Sequence, residues 1–159
     1  PGPPLNQPSI PLISLTVSDL PFNSSNMDFA SASTDAVSAF ANLCPRYISD
    51  RLASASYRKH IYNISGLSNS GSITVDDCNM PNGVFDTVSA VVTCNPGLNE
   101  CICYSNDDGC GYAAGDSVSG VPLAETKEYY AIVLPYSSSR TSGVYKLTIR
   151  SPTGESPGP

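Results

Sequence analysis

The stretch YYAIVLPYSSSRTSGVYKLTI, residues 129–149, sets an apolar run, a polar connection containing one glycine and a second run next to each other. In the second run Tyr145, Leu147 and Ile149 alternate with Val144, Lys146 and Thr148, the period-2 pattern of a strand buried on one face. The first run is apolar on both parities, as expected of a central strand covered on both sides. A short polar link between two such runs predicts a hairpin, with the second strand returning antiparallel beside the first.

Similar patterns recur upstream. ISLTVSDL puts Ile13, Leu15 and Val17 on one face, and GSITVDD does the same with Ile73 and Val75. In FDTVSAVVTC, Val88, Ala90, Val92 and Cys94 share a face while Thr87, Ser89 and Thr93 take the other, which reads as a half-buried strand. A helical rhythm is confined to 33–55, where Ser33 or Thr34 would cap a short helix carrying Ala36, Val37 and Phe40 and ended by Pro45.

Composition agrees with an all-β chain. Of 159 residues, 40% are hydrophobic and 14% charged, with 12 Gly and 14 Pro, which suits short strands and turns better than long helices. The fold class predicted is an antiparallel β-sandwich, jelly-roll-like, with disulfide-stapled loops and at most one or two short helical turns. The length suits a single core. Residues 1–11 form a Pro-rich extended arm, 12–150 the sandwich and 151–159 a Pro/Gly/Ser-rich tail. Five of the first eleven residues and three of the last nine are proline, favouring polyproline-like backbone in both arms. Such flanks resemble the hydroxyproline-rich segments that join modules in plant and algal wall glycoproteins.

A net charge of -6 with eight basic residues argues against nucleic acid and anionic membrane surfaces. No apolar stretch is long enough to span a bilayer, so no membrane insertion is expected. The start PGPPLNQPSI has neither Met nor a charged-then-apolar leader and reads as a mature protein or a fragment of one.

Six cysteines without a CxxC pair, beside a single histidine, point to disulfides rather than zinc. Sequence proximity suggests the pairs Cys44–Cys78, Cys94–Cys101 and Cys103–Cys110, and an oxidising, secreted or cell-surface location. The sequons NSS at Asn23 and NIS at Asn63 are candidate sites of covalent glycans.

The order RKHIYNISGLSNSGSITVDDCN, GVFDTVSAVVTC, CICYSNDDGCG, YYAIVLPYSSSRTSGVYKLTI, from about 58 to 149, resembles bacterial pre-peptidase C-terminal domains. That resemblance implies a β-sandwich serving as a non-catalytic appendage of secreted proteins, with no substrate specified. Leu134-Pro135-Tyr136, where such domains carry a Gly before the aromatic, and Asn79–Gly83, an addition before FDTV, depart from the pattern in loops.

Candidate chemistry is sparse. His60 has no evident nucleophile or metal partner in the sequence, and no serine sits in a G-x-S-x-G elbow. Asp76, Asp77, Asp86, Asn106, Asp107 and Asp108, gathered at one rim, would offer oxygen ligands to Ca²⁺; the plainer reading of NDDG is a turn. Otherwise no cofactor is expected. Tyr104, Tyr112 and Tyr136, in or near loops, would stack on sugars or peptides if exposed, or else cap the sandwich edges. Finally, Ile10, Leu12, Ile13, Leu15 and Val17 form a strand that one copy would lend to its neighbour's open sheet edge.

The sequence therefore predicts a non-catalytic extracellular structural module, self-assembling head to tail through its N-terminal strand and Pro-rich arms. Its partners would be copies of itself or other wall and matrix glycoproteins. The alternative is an accessory carbohydrate- or protein-binding domain of a secreted hydrolase, with polysaccharide as partner.

Overall fold

Ten strands, one short α-helix and a single 3-10 turn (Phe29–Ser31) account for the regular structure among the residues that the computed structural model describes, 11–38, 40, 42–67, 71–95, 100–106, 110–111, 114–123 and 128–150. The strands are β1 (Leu12–Thr16), β2 (Phe22–Asn23), β3 (Met27–Asp28), β4 (His60–Ser65), β5 (Ser72–Asn79), β6 (Thr87–Cys94), β7 (Cys101–Asn106), β8 (Ser117–Pro122), β9 (Glu128–Pro135) and β10 (Val144–Arg150); the helix is α1 (Arg46–Ala53). The first sheet has the order β1-β4-β9-β6-β7. The second has the order β2-β10-β5-β8, with β3 also on β10. The chain is an all-β sandwich. All pairings are antiparallel except β1 with β4, which run parallel from Leu12↔Ile61 to Thr16↔Ser65.

The stretch at 129–149 folds differently from a hairpin. β9 lies at the centre of the first sheet, between β4 and β6, while β10 lies in the second sheet between β5 and the short β2 and β3. The connection 136–143 therefore crosses from one sheet to the other. Burial explains the separation: β9 needs cover on both faces, and β10, with Lys146, Thr148 and Arg150 half-buried, needs it on one.

That double cover comes from two cores. Tyr129, Ala131 and Val133 of β9 join Tyr62, Val91, Val118, Tyr145, Leu147 and Ile149 between the sheets. Tyr130, Ile132 and Leu134 join Ile61, Val88, Ala90 and Val92 on the opposite face, under Val37, Phe40, Ile48 and Leu52. The first sheet is thus the middle of three layers. For the same reason β6 is buried along its whole length rather than on one face.

The helical expectation over 33–55 is corrected in position. Pro45 begins α1 instead of ending a helix: it stands at the N-cap, and its carbonyl accepts from Ile48 and Ser49 N–H at 2.9 and 3.0 Å. Proline is well suited to a helix start, where the missing N–H would have had no partner, and its ring fixes φ near the helical value.

Two of the three expected disulfides are also corrected. The pairs are Cys44–Cys103, Cys78–Cys110 and Cys94–Cys101, so only the last agrees with sequence proximity. The β6–β7 register puts Cys101 directly opposite Cys94. Cys103, two residues along, shares the face of Cys101 and meets Cys44 in the covering layer. Cys110 then reaches the end of β5 at Cys78, a bridge from the first sheet's final loop to the second sheet.

Candidate functional site

The inter-sheet space holds an unusual amount of polar chemistry, built on β4, β5, β6 and β10. Asp77 on β5 is fully buried, and its Oδ1 accepts from the Thr87 hydroxyl at 3.0 Å and from Asp116 N–H at 2.7 Å. Its Oδ2 accepts from the Ser89 hydroxyl at 2.7 Å. Asp116, also buried, accepts from Ser89 N–H at 2.8 Å. Thr87 and Ser89 are the polar parity of β6, turned inward to this carboxylate. Gly115 is required for the close approach: a Cβ there would lie 2.5 Å from Asp77 Oδ1 and 2.8 Å from its carbonyl oxygen. Loss of water pushes the Asp77 carboxyl up to about 6, against the lowering pull of its hydrogen bonds.

A second buried chain runs His60 Nδ1 to Tyr145 Oη at 2.7 Å and Tyr145 Oη to Tyr62 Oη at 2.6 Å. Burial drives His60 down to about 4, so at neutral pH the imidazole is uncharged, and the tautomer sets which of Nδ1 and the Tyr145 hydroxyl donates. Burial also raises both phenols above their ordinary range. Phe29 stacks on His60 with ring centres 5.3 Å apart. His60 is 3% exposed and both tyrosines 0%, so these groups tie the layers together and meet no solvent-borne ligand.

Among the described residues, the carboxylates weighed as a calcium rim are not brought together as a ligand set. Asp77 spends both oxygens on the three donors above, while Asp76 Oδ2 pairs with Arg150 Nε at 3.2 Å and its Oδ1 accepts from Cys78 N–H at 3.1 Å. Asp86 precedes β6, its carbonyl accepting from Tyr136 N–H at 3.1 Å, and Asn106 ends β7. Asp107 and Asp108 lie outside the described residues. Among the described residues no group of three or more His, Cys, Asp or Glu side chains is placed to hold a metal.

The tyrosines separate. Tyr104 is on β7, half-buried against the inter-sheet core, and so caps an edge rather than lining a loop. Tyr112 lies outside the described residues. Tyr136 is 49% exposed, with the Arg51 guanidinium 4.8 Å from its ring centre and donating to its carbonyl at 3.0 and 3.1 Å. Of the sequons, Asn23 is exposed on β2 and its Oδ1 accepts from the Thr148 hydroxyl at 2.9 Å. Asn63 is half-buried in β4, in register between Ser14 and Tyr130. The N-terminal strand pairs within its own chain: Leu12–Thr16 form β1, with Ile13 and Leu15 against the inter-sheet core and Val17 buried. Ile10 lies outside the described residues.

One surface feature escaped the sequence reading. At the end where β9 passes to β10, Asp28, Asn82, Val84, Phe85, Arg140 and Gly143 line a groove of about 350 Å³. Its signals in sequence are an arginine alone in a serine-rich loop and a valine set between Gly83 and Phe85.

No protein-family model matches the chain, and no curated protein matches it. Among the described residues no helix is long and apolar enough to cross a membrane. The fold and its chemistry thus define a three-layer, disulfide-bridged all-β sandwich with a cluster of polar groups buried between its sheets.

Proposed function

We propose that the chain is a non-catalytic, glycosylated extracellular module that assembles with copies of itself, head to tail, by exchange of its N-terminal strand. The observation that carries this reading is the state of β1. It sits at the edge of the first sheet, joined through one parallel ladder of five residue pairs, with no strand on its other side among the described residues and Leu12 38% exposed. Parallel pairing is slightly less stable per residue than antiparallel, and the same five residues can occupy the same ladder on a neighbouring copy.

Chain direction supports an axial array. β1 begins beside Ile61, and His60 pairs with Val133 near the end of β9. β10 starts at that end of the sandwich and carries Arg150 to the opposite one. Leu12 and Arg150 therefore stand at opposite poles, and a contact between unlike poles repeats into a filament wherever its rotation does not close. Three disulfides suit an oxidising, extracellular setting, and the exposed Asn23 is the better placed of the two sequons for a glycan.

The test is deletion of residues 1–16. Electron microscopy and light scattering are expected to find elongated particles with the intact chain and single sandwiches with the shortened one. Equal particle lengths would sink the proposal. The alternative, an accessory module binding polysaccharide, is favoured by Tyr136 alone, an exposed ring braced by Arg51 and offering a flat face to a sugar. A glycan array on the shortened chain separates the two.

A further inference from the structure

We infer that the groove beside Arg140 is the receptor for the Pro-rich segment 151–159 of a neighbouring copy. This deepens the head-to-tail reading above and rests on it for the partner's identity. The Arg140 guanidinium lies 4.3 Å from the centre of the Phe85 ring and donates to the Ser142 carbonyl at 3.1 Å. Stacking on an aromatic ring and a backbone contact hold the fork in place before any ligand arrives. Among the described residues no carboxylate comes within ion-pairing distance of it. Asp28, in the same groove, is turned to other work: its Oδ1 accepts from Ala30 N–H at 2.9 Å and Gly143 N–H at 3.1 Å. Val84, 69% exposed beside Phe85, is the most exposed large apolar side chain among the described residues.

An apolar ridge next to an aromatic ring and a fixed cation is the surface that recognises polyproline segments carrying one acid. The chain holds one such segment. SPTGESPGP, residues 151–159, has prolines for the ridge and Glu155 as its single charge, whereas the N-terminal arm, residues 1–11, has prolines and no charge at all. Reach decides between the chain's own tail and another's. β10 spans seven residues, so Arg150 stands ~20 Å from Val144 at the groove. Glu155 is five residues further, a fully extended backbone reach of ~17 Å, so its carboxylate meets its own Arg140 only if the tail reverses at Arg150 and is drawn out straight along β10. The tail of a copy stacked on the groove end starts close by, because unlike poles meet in a head-to-tail array.

Cross-linking of intact chains tests this. One chain carries Val84→Cys and a second carries Ser156→Cys; mixed without reductant, they are expected to give a disulfide-linked heterodimer. Glu155→Gln, or separately Arg140→Gln, is expected to lower its yield roughly two- to fivefold, the range for an exposed ion pair. No heterodimer, or a yield indifferent to both substitutions, overturns the inference. An internal link in the double variant Val84→Cys/Ser156→Cys, with none between single variants, overturns the assignment to a neighbour. The two proposals fail separately. Elongated particles without the heterodimer refute the groove alone, and a heterodimer in chains whose particle length ignores deletion of 1–16 refutes strand exchange alone.

Discussion

The two edges of the first sheet are built from similar side chains and held in opposite ways. β7 exposes Ile102 (52%) and β1 exposes Leu12 (38%), and each pairs with a single neighbour. β7, however, is fixed covalently, by Cys101 to Cys94 on β6 and by Cys103 to Cys44 in the covering layer, and Cys110 just beyond is bonded to Cys78 on β5. β1 has no cross-link, only its ladder on β4 and the half-buried Ile13 and Leu15. Exposed apolar area does not distinguish an edge that can exchange from one that cannot. Attachment does: leaving one edge costs covalent bonds, whereas leaving the other costs hydrogen bonds and the burial of Ile13, Leu15 and Val17, which under the proposed exchange a second copy would restore.

The strongest way to break this contrast is to free the fixed edge. Replacing Cys44 and Cys103 together by serine opens a bridge of sequence separation 59 and is expected to cost ~4 kcal/mol in the chain-entropy view. Urea unfolding at matched pH checks the loss, and a change below ~1 kcal/mol would mean that the covering layer holds β7 without the bridge.

A smaller effect belongs to the edge without a cross-link. Leu15→Ala removes a half-buried side chain and is expected to cost ~1–2 kcal/mol, and to speed hydrogen exchange at Ile13–Thr16 more than at Cys101–Tyr104. Equal acceleration at both edges would show that they open together and erase the distinction.

The least change in stability is expected from acid, and it bears on β4, the strand that carries β1. His60 titrates near 4 in the fold against an ordinary 6.5, so its contribution is full above 6.5 and is lost as pH falls toward 4. Asp77 titrates near 6 against an ordinary 3.8, so it works the other way: stability is gained as pH falls from 6 and is fully present below 3.8. The two largely offset between pH 4 and 6. His60→Gln is expected to leave a chain whose urea midpoint rises on going from pH 6 to 4, and Asp77→Asn one whose midpoint falls. Parallel slopes in both variants would show that these groups do not set the acid response.

Much of the strand content was legible because alternation is local. β1, β5 and β10 follow from Ile13/Leu15/Val17, Ile73/Val75 and Tyr145/Leu147/Ile149, and the doubly apolar β9 correctly announced a covered central strand. Less could be read where two remote segments meet. The polar parity of β6 looked solvent-facing, yet Thr87 and Ser89 point at Asp77, a partner from a different sheet. Of the candidate site, Tyr136 and the exposed Asn23 were visible as residue types, whereas the Arg140 groove joins positions 28, 82–85, 140 and 142–144 and has no contiguous signal.

By itself the sequence settled the kind of layer each segment belongs to, since the parity of apolar residues records how many faces must leave water. Which layer lies beside which was decided only in three dimensions. Nothing local to Tyr145 chooses between β9 and β5 as neighbour, and nothing local to Cys44 chooses between Cys78 and Cys103; β10 lies beside β5, and Cys44 packs over the first sheet where Cys103 faces it. The physical reason is that burial is a property of single residues and can be written along the chain, whereas pairing depends on the simultaneous packing of segments far apart in it.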